Sequence, residues 1–368
     1  MIRRQWRSFD FSLLVMVLLF AAFGVVTIGM ATSFESSTFN HQQLFYVSGV
    51  CIMIAAALID YRFIGKFYLP IYIMTIGLLI FCLTLPVGET RTQRWIDLGA
   101  FTVQPSEFTK LFIIIFLSKL IDKNKETFNN ILVLALILCA IALPVALIMK
   151  QPALSAGLVV IFISVCIIFS GGLKARYIIA AVLIITPLVM VFAWDLQNEE
   201  RVIINRLLGY QVDRIDAFLN PNADSDDVYQ TNLSMQAIGA GQLTGKELDI
   251  SLYVPHSSND FIFAVVGEQF GFAGCSAVLL AMFAIIIKCV LIANRAVDLQ
   301  GKLICMGVAG MFAFQTFANV GVATAIIPNT GMPFPFLSSG GSALWVNMAA
   351  VGLVLNVGMF RNKSIFEG

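Results

Sequence analysis

The chain has 368 residues, of which 59% are hydrophobic and only 12% are charged. A soluble domain is about 45–50% apolar and about 25% charged, so this composition excludes an ordinary soluble fold and predicts a membrane protein with several spans. The net charge of +1 gives no basis for nucleic-acid binding, and seven cysteines with only two histidines and no CxxC pair give none for structural disulfides or a zinc site.

Ten apolar segments are candidates for crossing a bilayer, which takes about 20 residues per helix. They cover residues 11–31, 44–59, 67–86, 106–121, 131–149, 153–172, 177–194, 261–287, 303–328 and 341–360. The first segment is longer than the core of a signal peptide, so we expect it to be retained as a span. The predicted fold class is therefore an all-α polytopic membrane protein with about ten transmembrane helices, and residues 1–368 form a single transmembrane domain.

The positions of the basic residues predict the orientation of these spans. Most of the 23 Lys and Arg residues fall on one side when the ten spans are traced, and the positive-inside rule assigns that side to the cytoplasm. Both termini are then cytoplasmic. The two long outer loops are residues 87–105 and residues 195–260, the second lying between spans 7 and 8.

The second outer loop contains a pattern that is typical of an interfacial helix. Apolar residues recur at helical spacing between 204 and 219, opposite Arg206, Asp213 and Arg214. Residues 220–227 then predict a turn. Their acidic stretch is similar to the cation-binding motif of nucleotide-sugar glycosyltransferases, but nucleotide sugars are not present outside the cell, so we discount it.

Asp260 ends this loop, directly before the apolar segment that starts at Phe261. A carboxylate at the boundary between water and hydrocarbon is costly unless it has a function. At this position the side chain can contact both a lipid head group and water. It is equally suited to the N-cap of the following helix, which is a common position for aspartate.

Three more ionisable residues lie within the predicted spans. Pro105 is suited to the first position of a helix, which places Glu107 in the first turn, where the helix dipole favours a negative charge. Lys110 is three residues further on and lies on the same face. One such pair could be a buried ion pair that fixes helix orientation, but Glu268 adds a third group and favours a shared polar cavity. Alternatively, Glu268 could hydrogen-bond across a small-residue packing surface at 267–274.

The outer segments carry further candidates for substrate binding. Trp95 could stack on a ligand, although an aromatic residue of the membrane interface has the same pattern. Ser338, Ser339 and Gly340 precede the last span. Backbone amides at a glycine-containing helix start can bind a phosphate, and the same residues can form a plain turn.

Together these segments resemble the SEDS family (shape, elongation, division and sporulation), polytopic glycosyltransferases that polymerise lipid II into peptidoglycan. The resemblance extends over nearly the whole chain. Within the family, Gln93 and the compact length are more similar to RodA members than to FtsW members. The matching stretches are residues 94–99, 104–110, 229–245, 260–274 and 315–342.

The resemblance implies that the chain polymerises lipid II, the undecaprenyl-pyrophosphate disaccharide-peptide, on the outer face of the bacterial cytoplasmic membrane, for cell-wall elongation and cell shape. Asp260 is then the catalytic general base of an inverting transfer. The pyrophosphate leaving group needs a cation, for which Lys110 ranks before Arg94, Arg206 and Arg214 because it is the one cation within a span. The substrate-binding residues are Trp95, Arg94, Glu107, Lys110, Glu268, Ser338, Ser339 and Gly340.

The same resemblance implies a class B penicillin-binding protein, a transpeptidase, as the partner. It implies no certain cofactor and no metal-ligand set, but it leaves room for a divalent cation, Mg²⁺ or Mn²⁺. Two other functions fit the residues themselves. A flippase for lipid-linked precursors could use the ionisable residues of the spans as its path, and a non-catalytic scaffold of a cell-wall complex would need none of them.

The chain also departs from the family pattern at three places. Where the family commonly has Gln-Pro-Asp-Leu-Gly-Thr, this chain has Gln-Pro-Ala-Leu-Ser-Ala at 151–156. Residues 255–260 differ from the usual Pro-Glu-x-His-Thr-Asp, although the aspartate is retained. Ser339 replaces the tyrosine of Ser-Tyr-Gly-Gly-Ser. These differences predict a divergent branch with altered contacts to substrate or partner.

Overall fold

The structure is a computed structural model that describes residues 8–32, 34, 36–85, 94–97, 99, 101–197, 211–220, 225–246 and 257–360. This part of the chain is almost entirely helical. A short antiparallel hairpin joins β1 (Ile96–Asp97) to β2 (Thr102–Val103). The helices are α1 (Phe11–Thr32), α2 (Ser37–Leu58), α3 (Tyr61–Lys66), α4 (Tyr68–Thr84), α5 (Pro105–Lys123), α6 (Ile131–Lys150), α7 (Leu154–Ser170), α8 (Ala175–Gln197), α9 (Gln211–Leu219), α10 (Asp226–Ala240), α11 (Ile262–Asn294), α12 (Leu299–Ala323) and α13 (Gly341–Met359).

Each of the ten predicted spans coincides with a helix, namely α1, α2, α4 to α8 and α11 to α13. Within the described ranges, seven helices are long and apolar enough to cross a membrane, and α4 and α7 are shorter apolar helices. The chain is therefore an all-helical polytopic membrane protein. The number of spans and the cytoplasmic position of both termini stay predictions.

Some helices are enclosed at the centre of the bundle, and others lie at its periphery with exposed apolar side chains. Most residues of α12 and α13 are buried inside the bundle, whereas the apolar side chains of α8 are exposed along its described length. A helix that is apolar all round is stable only inside a protein or in a bilayer. The exposed apolar surface of α8 therefore suits contact with lipid.

The end of the bundle near the N-terminus is closed by buried polar contacts around α3. Asn356 of α13 is fully buried, accepts a hydrogen bond from the Tyr61 amide (2.9 Å) and donates one to the Ala57 carbonyl (2.7 Å). Arg62 forms an ion pair with Asp298 at 2.8 Å. The sequence did not predict α3, because six residues are too few to show a helical period.

The opposite end contains irregular backbone inside the bundle. Residues 331–340 form a loop whose apolar side chains Met332, Phe334, Phe336 and Leu337 are almost completely buried. Helix α1 passes so close that a side chain at Gly24 would contact the Phe336 carbonyl and the Leu337 Cα. Irregular backbone at membrane depth is tolerated where protein surrounds it, and this loop meets that condition.

Helix α11 is broken at Gly271, which has φ 61° and ψ −161°. The turn after α10 fills the break, because the amides of Phe272 and Ala273 donate to the carbonyls of Gln242 and Leu243 at 2.8 and 3.0 Å. The span predicted over 261–287 therefore contains a break at this residue. The predicted small-residue packing surface exists, but it packs against an outer-loop helix, since a side chain at Gly267 would contact Ile238 of α10.

Two predictions for the second outer loop have different outcomes. Helix α9 confirms the helical pattern from Gln211 to Leu219, and residues 201–210 lie outside the described residues. The turn predicted over 220–227 is wrong at its end, because Asp226 and Asp227 form the first turn of α10, with Ser225 as the N-cap. Residues 221–224 are not described.

The packing of the α10 turn into the broken helix predicts that Gly241→Ala destabilises the protein by about 1–3 kcal/mol, the usual cost of overpacking. A methyl group at this position would contact the carbonyls of Gly267 and Glu268. The matched control is Gly239→Ala, where nothing lies within 4 Å and the change should stabilise the helix slightly. Thermal unfolding of the detergent-purified protein measures both. Equal melting temperatures for the two variants would show that the turn after α10 does not pack tightly into the break of α11.

Candidate functional site

A cavity of about 200 Å³ lies at the end of the bundle that contains the irregular loop. It brings together residues from the first outer segment, the starts of α5 and α7, the residues before α11, and the loop before α13. Its lining includes six predicted site residues, Arg94, Trp95, Glu107, Asp260, Ser339 and Gly340, together with Gln104, Ser155, Ala156, Asn259, Gly331, Pro333, Ser342 and Ala343.

The backbone at Asp260 is held by Asn319 of α12. The fully buried Asn319 carboxamide donates to the carbonyls of Asp260 and Met332, both at 2.8 Å. The N-cap of α11 is Phe261, so Asp260 lies one residue before it. The alternative role of Asp260 as the helix N-cap is therefore wrong. Asp260 lines the cavity instead.

Ser338 and Ser339 join the Asp260 segment to the loop before α13. The Ser338 hydroxyl donates to the Asn259 carbonyl at 2.5 Å and accepts from the Phe334 amide at 2.8 Å. The Ser339 amide donates to the Ser258 carbonyl at 2.8 Å, and its hydroxyl contacts the Asn259 side chain. Ser338 thus stabilises the contact between the loop and the Asp260 segment and does not line the cavity.

The amides of this loop do not form the predicted phosphate site. Those of Ser338 and Ser339 donate to the carbonyls of Phe334 and Ser258, and that of Gly340 donates to Gln42 Oε1 at 3.2 Å. Since protein acceptors already satisfy these donors, the predicted phosphate site at Ser338 to Gly340 is wrong. The alternative of a plain turn is correct here.

Glu107 and Lys110 form an ion pair of 2.6 Å with both side chains buried. Glu107 reaches the cavity, but Lys110 is only 1% exposed and is not part of its lining. Glu268 is buried in α11 and also lies outside the lining. The shared polar cavity predicted for the three ionisable groups therefore contains Glu107 alone, and Lys110 serves as the counter-ion of Glu107.

The cations near Asp260 come from the outer segments. Arg94 lines the cavity, and its buried Nε has no hydrogen-bond partner among the residues that the structure describes. Arg214 of α9 donates to the Asn329 carbonyl at 3.1 Å. A side chain at Gly331 would begin 3.3 Å from Asp260 Oδ2 and 3.6 Å from Arg214 Nη1, so carboxylate and guanidinium flank the same glycine. Arg206 lies outside the described residues.

Several residues that position the site were not singled out from the sequence. Asn319 is a polar residue inside an apolar helix, which is a usable signal because such groups are costly there. The backbone amide of Gln104 donates to the Ser342 hydroxyl at 3.2 Å and so connects the start of α5 to the start of α13. No local pattern indicates that contact, because it joins segments 238 residues apart.

Among the described residues, a metal at the cavity could be held only through a small number of carboxylates. Within the described part of the chain, no group of three or more His, Cys, Asp or Glu residues could hold a metal ion. Glu107 and Asp260 are the carboxylates that line the cavity. Mg²⁺ commonly binds one or two carboxylates together with substrate phosphates, and this donor set fits that mode alone.

The family model and the similar proteins all indicate the same family. The family model of FtsW, RodA and SpoVE, described as "Cell cycle protein", matches residues 9–363. The "Probable peptidoglycan glycosyltransferase FtsW" of Trichlorobacter lovleyi is 29% identical, over 97% of this chain and 95% of that protein. "Stage V sporulation protein E" of Bacillus subtilis is 32% identical, over 95% of this chain and 97% of that protein.

Two solved structures are similar over the whole fold. One is of a peptidoglycan synthase complex that coordinates polymerization and crosslinking, with 25% identity and a TM-score of 0.83, covering 98% of this chain and 100% of that chain. The other is a mutant of Thermus thermophilus RodA, a rod shape determining protein, with 25% identity, a TM-score of 0.72 and the same coverage. The RodA-like subgroup stays a prediction, since relatives from several branches match.

The buried ion pair predicts that Lys110→Met destabilises the protein by about 3–5 kcal/mol, because it leaves the Glu107 carboxylate buried without a counter-ion. The double variant Glu107→Gln, Lys110→Met removes both charges and should recover most of that loss. Thermal unfolding measures the stabilities. If the double variant were as unstable as the single one, the pair would not be the reason for the loss.

Proposed function

The chain belongs to the FtsW, RodA and SpoVE family of cell cycle proteins, and we propose that it is a peptidoglycan glycosyltransferase that polymerises lipid II into glycan strands. The observation that carries this proposal is the Asp260 carboxylate in a small cavity that Arg94 also lines, with Arg214 on the other side of Gly331, at one end of a bundle of apolar helices. A reaction between lipid-linked sugars needs such a place, since the isoprenoid tails stay in the bilayer while the sugars react outside it.

Asp260 is proposed as the general base. The 4-hydroxyl oxygen of the acceptor sugar attacks the anomeric carbon of the donor, and its proton passes to the Asp260 carboxylate. The bond between that carbon and the pyrophosphate oxygen breaks, so undecaprenyl pyrophosphate leaves with the electron pair. One displacement inverts the α-linked donor into a β-linked product, and no covalent enzyme intermediate is required.

Arg94 and Arg214 are proposed to stabilise the pyrophosphate leaving group, in place of Lys110. A guanidinium can bind phosphate oxygens through two parallel hydrogen bonds, and donors aimed at developing charge commonly give the largest contribution to catalysis. The buried Nε of Arg94 has no acceptor in the described region, so an anion in the cavity would supply one. Lys110 is committed to Glu107 and is enclosed.

We keep a divalent cation, Mg²⁺ or Mn²⁺, within the proposal as a companion of the substrate pyrophosphate. Its charge would offset that of the leaving group, and Asp260 is the cavity carboxylate that could hold it, because Glu107 is paired with Lys110. Trp95 is 44% exposed at the cavity wall and is proposed as a contact for the substrate.

The proposed location is the bacterial cytoplasmic membrane, with the site facing outward and the protein serving cell-wall elongation and cell shape. The positive-inside distribution of basic residues supports this orientation. The proposed partner is a class B penicillin-binding protein that cross-links the new strands, and the similarity to a structure of a peptidoglycan synthase complex supports it.

Asp260→Asn is expected to lower the rate of lipid II polymerisation by at least about 100-fold, because the amide cannot accept the proton. The substrate is purified lipid II, the enzyme is detergent-solubilised with its partner, and the product is measured as glycan strands on a gel. Unchanged melting temperature shows that the variant is folded.

Asp226→Asn is the matched control, since Asp226 is exposed in the first turn of α10 and belongs to the discounted acidic stretch. It should retain the wild-type rate. Long strands from Asp260→Asn would refute the assignment of the base. A wild-type protein that moves lipid II across vesicles but makes no polymer would favour a flippase instead.

Arg94→Gln is expected to lower the turnover number by about 100-fold, comparable with the loss of one donor to a developing anion. Arg176→Gln, at an exposed position at the start of α8, is the control and should be silent. Initial rates over a range of lipid II concentrations separate turnover from KM. A loss of turnover in the Glu107→Gln, Lys110→Met double variant that exceeds that of Arg94→Gln would return Lys110 to first place.

A further inference from the structure

A second chamber of about 470 Å³ lies beside the Asp260 cavity. The two share Trp95, Asn259, Ser339 and Gly340, so these residues form a wall between them. We name the second one the Gln42 chamber. Its other lining residues come from the start of α2, the hairpin and the start of α13, and are Thr38, His41, Gln42, Phe45, Asp97, Gly99, Phe101, Thr102 and Gly341.

The Gln42 side chain has a donor that none of the described residues accepts. Gln42 is 2% exposed, and its Oε1 accepts the hydrogen bond from the Gly340 amide. This bond fixes which end of the carboxamide is oxygen, so the other end is the amide nitrogen. The nitrogen is buried and has no partner among the described residues. An unsatisfied buried donor is costly, which favours a ligand that brings an acceptor oxygen.

The remaining walls offer flat apolar faces on a rigid support. Phe45 and Phe101 both pack edge-on against Trp345, with ring centroids 5.5 and 5.3 Å apart. The Trp345 indole nitrogen in turn donates to the Ser48 hydroxyl at 2.8 Å. With Trp95 and the exposed Asp97 carboxylate, the chamber combines aromatic surface with a few polar groups. A pyranose ring presents the matching features, namely apolar C–H faces and hydroxyl or acetamido groups at its edge.

We propose that the Gln42 chamber is a saccharide subsite that holds the N-acetylated sugars of one of the two lipid-linked substrates. The proposal rests on the glycosyltransferase function proposed above. The 200 Å³ cavity of Asp260 is too small for the sugars of two substrates, and the larger chamber adjoins it through the Ser339–Gly340 wall. The Gln42 amide donates to an acetamido carbonyl or hydroxyl oxygen, and Trp95 contacts sugar on both sides of the wall.

The test uses Gln42→Glu, which keeps the oxygen acceptor for Gly340 and removes the amide donor. Gln43→Glu makes the same change at the exposed neighbouring residue and is the matched control. The probe is a β-1,4-linked N-acetylglucosamine tetrasaccharide, and its contact with the solubilised protein is measured by saturation-transfer difference NMR. We expect about fivefold to tenfold weaker binding for Gln42→Glu, a raised KM for lipid II with turnover nearly unchanged, and no change for Gln43→Glu.

A second variant guards against misfolding of the first. Thr38→Trp places a large ring at an exposed lining position and should also weaken tetrasaccharide binding. If both variants bound the tetrasaccharide as strongly as the wild-type protein does, the proposal would be wrong. It would also be wrong if the wild-type protein bound the free peptide portion of lipid II and not the sugar. The tetrasaccharide signal is independent of turnover, so a wild-type protein that binds the sugar but makes no polymer refutes the proposed function and not the saccharide chamber.

Discussion

The arrangement of the site depends on one buried carboxamide. Asn319 of α12 holds the carbonyls of Asp260 and Met332 with the two hydrogens of a single amide group. It thereby fixes the residue before the broken helix α11 to the loop before α13, two segments that have no regular hydrogen-bond ladder in common. A polar group inside an apolar helix is costly unless satisfied. The two bonds satisfy the Asn319 amide nitrogen, whereas its Oδ1 has no partner among the described residues, so α12 and both segments stabilise one another through this nitrogen.

Around this point, irregular backbone replaces helix at the site end of the bundle. The loop 331–340 buries its aromatic side chains among α1, α11 and α12, and the turn after α10 fills the break at Gly271. The backbone donors of these segments are satisfied either within the segment, as for the Ser338 amide on the Phe334 carbonyl, or on another segment, as for the Ser339 amide on the Ser258 carbonyl. Such satisfaction is the requirement for non-helical chain inside a membrane protein. The irregular segments leave the cavity at Asp260 open, because continuous helices would close this end of the bundle.

The sequence predicts the helices better than the site because the two depend on different information. Long apolar runs are local, and all ten predicted spans coincide with helices. The spacing of Glu107 and Lys110 is also local, and it correctly places both on one face. The break at Gly271 and the satisfied amides at Ser338 to Gly340 depend on contacts between distant segments. A glycine or a serine has the same local pattern whether its backbone binds a ligand or another part of the chain.

The charges of the site fall into two groups with different supports. Glu107 and Lys110 neutralise each other on one helix and are enclosed, so they stabilise the wall of the cavity without offering net charge to a ligand. Asp260 is fixed to the bundle through Asn319, whereas Arg94 and Arg214 belong to the outer segments. The proposed base and the proposed cations therefore have separate anchors. A displacement of the outer segments would move Arg94 and Arg214 relative to Asp260 while the contact of Asn319 with the Asp260 carbonyl stays in place.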